Sequence, residues 1–261
     1  MKRFMGIALA VLLFAGCTAG GPGDVQSSSV AVVPGGAVGQ DSPYAKLVQI
    51  MPSAKCSVEG KLEGKFNQSQ MSAYLQCVVP RVDEWLASMV SNKPRPQYYL
   101  VPRGVMVDVD SRCALTDEVL YYCAPVHRVF VGEGALWGQY ENFGGATGAA
   151  IIAHGVGHHL QASLGVFEGT MTDQLHEELQ ANCVVGAFMA WATEKRLPIA
   201  GNENDAYNAL AKTSETESPG GAGGTKTKHQ EAFLRSFQDV GGFRKQGQPL
   251  LNNCLVYGPL F

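Results

Sequence analysis

Apolar residues recur at helical spacing through most of this chain and at strand spacing in two short runs. From Ser69 to Ser91 they fall at Met71, Leu75, Val79, Val82, Leu86 and Val90, a stripe interrupted at Pro80 that predicts two helices or one kinked helix. Gln97–Val101 and His127–Val131 are short and rich in β-branched and aromatic residues, and they predict strands flanking a loop from Cys113 to Cys123. Gly134–Tyr140 reads as a short helix leading into the Gly144-Gly145 break. The run Ala149–Leu164, AAIIAHGVGHHLQASL, is apolar on nearly every side and predicts a buried helix with Thr147 as N-cap and Gly165 at C′. A long helix follows from Met171 to Arg196, with Thr170 and Asp173 as a capping box and Pro198 as its stop. Asp205–Lys212 predicts a short helix, Thr213–Thr227 an exposed loop, and His229–Val240 a last helix before a coil tail containing Cys254. The expected fold class is α+β, mainly helical, with a small strand element.

The N-terminus has a different pattern. MKRFMGIALAVLLFAGC combines Lys2 and Arg3 with an apolar core too short to span a bilayer comfortably, which marks residues 1–16 as a signal peptide. Leu13-Phe14-Ala15-Gly16-Cys17 resembles a bacterial lipobox, which implies lipidation of Cys17 as the mature N-terminus; a plainly cleaved signal and an uncleaved anchor are the other readings. Gly, Ser, Pro and small apolar residues without period then make 17–42 a flexible tether, and 43–261 is long enough for one domain with a real core. The organisation places the domain on the extracytoplasmic face of a cell membrane.

Composition narrows the partners and the covalent frame. Removing residues 1–16 takes away two basic residues and no acid, leaving 18 basic and 23 acidic residues, a net charge of −5. No basic run tracks a phosphate backbone, so no nucleic-acid partner is expected. Without Cys17 the cysteines are Cys56, Cys77, Cys113, Cys123, Cys183 and Cys254, an even count that in an exported protein favours disulfides. Nearest-neighbour pairing joins Cys56 to Cys77, Cys113 to Cys123 and Cys183 to Cys254. A cysteine zinc site is disfavoured, since none of these pairs has zinc-knuckle spacing.

Three of the six histidines fall within His154–His159. At i and i+4 on a helix, His154 and His158 share a face and can grip one divalent ion, in the manner of the first half of a zincin site. His159 is about 140° round the helix from His154 and reads as a packed or surface residue. A third ligand is required, and in zincins of the Glu type it comes from a later helix; Glu178 in HEELQANC is the candidate, with Asn182 one turn on to orient a ligand from behind. His176 is expected to face elsewhere. Gly155 and Gly157 each cost the helix roughly 1 kcal/mol relative to Ala, so close approach of another element or a ligand is expected there.

IIAHGVGHHLQ resembles the HExGHHxQ signature of the bacterial neutral zinc metallopeptidase family, and HEELQANCVVGAFMAWA is similar to that family's ELQADC run and the helix after it. The resemblance extends over roughly Tyr74 to Cys254. It implies a zincin-like domain with Zn(2+) held by His154, His158 and Glu178. Two residues depart from the pattern: Gly155 stands where the family has its catalytic Glu, and Asn182 where it has Asp. A metal ion can activate water near neutral pH, but it supplies no group to collect the proton, and a positioned base is worth about 10² to 10⁴ in rate. The resemblance therefore implies a zinc-binding protein with weak or lost peptide hydrolysis and no catalytic residue at the Glu position. Gly155→Glu is expected to restore the base. The alternatives are a binding protein for a peptide or envelope partner on the same scaffold, and an envelope protein without metal. Glu141, Glu168 and Glu177 are the nearest carboxylates that could replace the base.

Overall fold

The histidine-bearing run forms the centre of the molecule, because an almost uninterrupted apolar sequence has no face to offer water. In the computed structural model, which describes residues 42–53, 67–89, 94–110, 113–165, 174–198, 204–210, 226–238 and 253–254, this run is helix α3, Ala146–Leu164, buried from Ala146 through Gln161. Gly165 closes it in the left-handed conformation at φ 74°, as its position predicts. Its start differs from expectation: Gly145 occupies the N-cap position, while Thr147 lies inside the first turn with its buried hydroxyl unpartnered among the described residues.

Around α3 stand helix α1, Gln68–Met89; helix α2, Glu133–Phe143; helix α4, Gln174–Glu194; and strands β5, Leu120–Cys123, and β6, Arg128–Gly132. A helical turn at 204–210 (α5) and helix α6, Lys226–Gln238, complete the helical set, so the molecule is mainly helical with small sheets. α6 starts at Lys226, inside the stretch expected to be loop.

α1 runs through Pro80 as one helix. Proline lacks the N–H that would bond the carbonyl of Gln76, and that carbonyl instead accepts from the backbone N–H of Ser53 at 3.0 Å. The start of α1 is fixed by a reciprocal pair, Asn67 N–H to Gln70 Oε1 and Gln70 N–H to Asn67 Oδ1, each 3.0 Å. Its inward stripe, Met71, Tyr74, Leu75, Val78, Val82 and Trp85, joins the main core.

Strand β2, Gln97–Val101, pairs in parallel with β6, with Tyr99 opposite Phe130. Strand β1, Val48–Gln49, adds antiparallel to β2, and β5 adds antiparallel to β6, giving the order β1-β2-β6-β5. The two expected strands are thus present and adjacent. The expected loop between Cys113 and Cys123 is not a loop: β4, Cys113–Thr116, pairs with β3, Met106–Asp110, and β5 belongs to the main sheet. β6 begins at Arg128, because His127 adopts a left-handed backbone, φ 51°, which extended pairing does not permit.

Two of the three expected disulfides lie among described residues, Cys113–Cys123 and Cys183–Cys254. Cys77 is also disulfide-bonded, while Cys56 lies outside the described residues. The signal peptide, Cys17, the tether and the Thr170–Asp173 capping box lie outside them as well. No described helix is long and apolar enough to cross a membrane.

Candidate metal centre

Gly155 and Gly157, the two glycines beside the histidines, each mark a close approach of α3 to a neighbouring element. A Cβ on Gly157 would lie 2.8 Å from Cα of Ala181, so the missing side chain lets α4 approach α3 backbone to backbone. Glu178 and Asn182 flank Ala181 on α4 and are carried by that approach to the histidines. A Cβ on Gly155 would lie 2.8 Å from Cγ1 and 3.1 Å from Cγ2 of Val129 on β6. Gly155 therefore packs against the sheet.

His154 and His158 lie side by side as their spacing predicts, and Glu178 joins them as the zincin pattern implies. One ligand atom from each lies within 4.8 Å of the others, and all three residues are buried. Nε2 of His154 is 3.0 Å from Nε2 of His158 and 3.1 Å from Oε2 of Glu178, and Nε2 of His158 is 3.3 Å from Oε1. A tetrahedral zinc with bonds near 2.0–2.1 Å spaces its donors roughly 3.3 Å apart, so the group has the right type, number and separation for three protein ligands.

The surroundings fix which imidazole nitrogens face inward. Gln161 Nε2 donates to the backbone carbonyl of Glu177 at 2.7 Å and to Gln180 Oε1 at 2.8 Å, so its Oε1 must accept from Nδ1 of His158, 2.9 Å away. The proton of neutral His158 is then on Nδ1, and Nε2 presents a lone pair. Asn182 Oδ1 lies 2.9 Å from Nδ1 of His154 and imposes the same tautomer. Two ring nitrogens and a carboxylate thus face one another, an arrangement that a shared proton or a metal ion satisfies. Burial opposes charge on Glu178, yet the imidazoles of His158 and His154 hold its carboxyl well below the ordinary range. Burial likewise disfavours charge on His158, but Glu178, with help from Gln161 and Glu177, raises it overall.

The other expected residues divide clearly. His159 points away from the group and is packed: Nε2 donates to the carbonyl of Pro94 at 2.7 Å, and Nδ1 meets the Tyr122 hydroxyl at 3.2 Å. That hydroxyl also meets Nδ1 of His127 at 2.9 Å, tying the sheet edge to α3. Burial raises the Tyr122 hydroxyl well above the usual tyrosine range and lowers His159. His176 is exposed. Of the alternative carboxylates, Glu141 is exposed, Glu168 lies outside the described residues, and Glu177 is buried, with its charge acting on His158.

His229 was not anticipated. Its Nδ1 accepts from Nδ2 of Asn182 at 2.7 Å, and its side chain is buried. A signal for it exists in the sequence, since His229, Ala232, Phe233 and Ser236 fall at i, i+3, i+4 and i+7 and form the buried stripe of α6.

Compared with family models, curated proteins and solved structures, the chain matches none of them.

Proposed function

We propose that this chain is a zinc-binding lipoprotein on a zincin-like, neutral-metallopeptidase scaffold, anchored through Cys17 on the extracytoplasmic face of a membrane, with peptide hydrolysis weak or lost. The observation that carries the reading is the buried convergence of His154, His158 and Glu178 as acceptors, with both histidines held in the tautomer that leaves Nε2 bare. The HExGHH-like and ELQADC-like segments supply exactly these residues, so the proposed family and the geometry depend on the same positions.

Zinc held there would supply Lewis acidity toward a carbonyl. His154, His158 and Glu178 would hold the ion, Gln161 and Asn182 would orient the rings, and no side chain at Gly155 would take a proton. The geometry also revises the expectation that Gly155→Glu alone restores a base. Val129 is 2% exposed, its branched side chain is stiff at χ1, and the new Cβ would strike its methyls. The space that a side chain at position 155 would enter belongs to Val129.

A second reading is that the scaffold engages a peptide or cell-envelope protein without cleaving it. Metal analysis of the purified protein is expected to give one zinc per chain, lost in His158→Ala. Wild type and Gly155→Glu are both expected to leave an unfolded substrate intact, while Gly155→Glu with Val129→Ala gains chelator-sensitive hydrolysis. Wild-type turnover at ordinary enzyme rates would show that another group, with Glu177 the first to replace by Gln, serves as base. Protein that takes up no zinc from excess metal would overturn the metal reading.

A further inference from the structure

Asn182 differs from a carboxylate in having two unlike ends. A carboxylate behind His154 would present oxygen whichever way it turned, whereas an amide serves the metal site only when Oδ1 faces Nδ1 of His154. Reversed, Nδ2 would donate to Nδ1 and drive the ring proton onto Nε2, the atom that lies 3.0 Å from His158 and 3.1 Å from Glu178. A protonated Nε2 has no lone pair for a metal.

The far end of the amide decides between the two. Nδ2 lies 2.7 Å from Nδ1 of His229, in a position where both residues are 1% exposed and water cannot substitute as a partner. We infer that His229 is a positioning residue for the metal site: by accepting from Nδ2 it selects the orientation of Asn182, and through it the tautomer of His154. The chain of contacts runs from α6 through α4 to α3 and ends at a ligand atom.

The inference rests on the metal reading for its consequence but not for its observable, since tautomers can be read in the metal-free protein. In apo protein with 15N-labelled histidine, long-range proton–nitrogen spectra are expected to show His154 protonated on Nδ1 and His229 on Nε2. His229→Leu removes the acceptor at similar volume, and is expected to move the His154 proton toward Nε2 and weaken zinc binding by about 10- to 100-fold in chelator competition. His229→Gln, which keeps an acceptor, should retain much of the affinity. In an Asn182→Asp background His229→Leu should cause no comparable loss, because either carboxylate oxygen can accept from His154. An unchanged His154 tautomer and affinity in His229→Leu would overturn the inference, as would an equal loss in both backgrounds, which marks a packing role. If His229→Leu does not fold, the wild-type spectrum decides: His154 with its proton on Nε2 overturns the assignment. Wild-type protein that binds no zinc defeats the metal reading and leaves the spectra to judge His229.

Discussion

Two glycines two positions apart on one helix have different neighbours, and the difference decides what substitution does. Ala in place of either gains about 1 kcal/mol of helix propensity. At Gly157 the added Cβ meets Cα of Ala181 at 2.8 Å, which is backbone, so α4 itself must shift. Overpacking of this kind costs roughly 1–3 kcal/mol and outweighs the propensity gain. The displaced helix carries Glu178 and Asn182, so Gly157→Ala is expected to lower the unfolding midpoint and to weaken zinc binding together. At Gly155 the contact is to the Val129 side chain, and Gly155→Ala is expected to disturb stability without moving α4. Thermal unfolding and chelator competition on the two variants separate these outcomes; equal losses of zinc affinity would contradict the packing account.

At the scale of elements, α4 is bound to the C-terminal region at the residue next to Asn182. Cys183 is bonded to Cys254 across 71 positions, and its carbonyl accepts from the Ser236 hydroxyl on α6. The disulfide Cys113–Cys123 closes only 10 positions, within the strands. On the chain-entropy account the longer closure is worth about 4 kcal/mol and the shorter about 3 kcal/mol. Replacing Cys183 and Cys254 by Ala is thus expected to cost more stability in urea unfolding than replacing Cys113 and Cys123. Only the first pair should also weaken zinc, since Cys183 adjoins Asn182 on the helix that carries Glu178. Periodicity made the long helices legible, because each presents its apolar stripe over several turns. The strands between Cys113 and Cys123 were hidden, since four-residue strands such as β4 and β5 carry too few alternations to distinguish from a loop. Thr147 misled as a cap because capping depends on where the preceding chain enters, and here the Gly144-Gly145 turn takes that role. Of the candidate metal group, His154 and His158 were legible from their spacing on one helix, and Glu178 only by analogy with the zincin pattern. His229 was not, since its link to Asn182 spans 47 positions and no local rule connects them.

For the whole molecule, membrane attachment in the proposed reading depends on a single residue. The proposed anchor is the lipid on Cys17, with the apolar signal segment removed. Residues 17–42 would then act as a flexible spacer whose root-mean-square reach is roughly 25–30 Å. That distance would hold the metal centre clear of the headgroups while keeping it near envelope substrates or partners. Cys17→Ala removes the sulfur through which the lipid would be attached. The variant is expected to leave the membrane fraction, or to accumulate with its signal peptide uncleaved, while the purified domain keeps the same zinc content and unfolding midpoint. Fractionation, N-terminal sequencing and metal analysis of the same preparations check all three. A Cys17→Ala protein that remains membrane-bound with an unchanged N-terminus would show that attachment does not run through this cysteine.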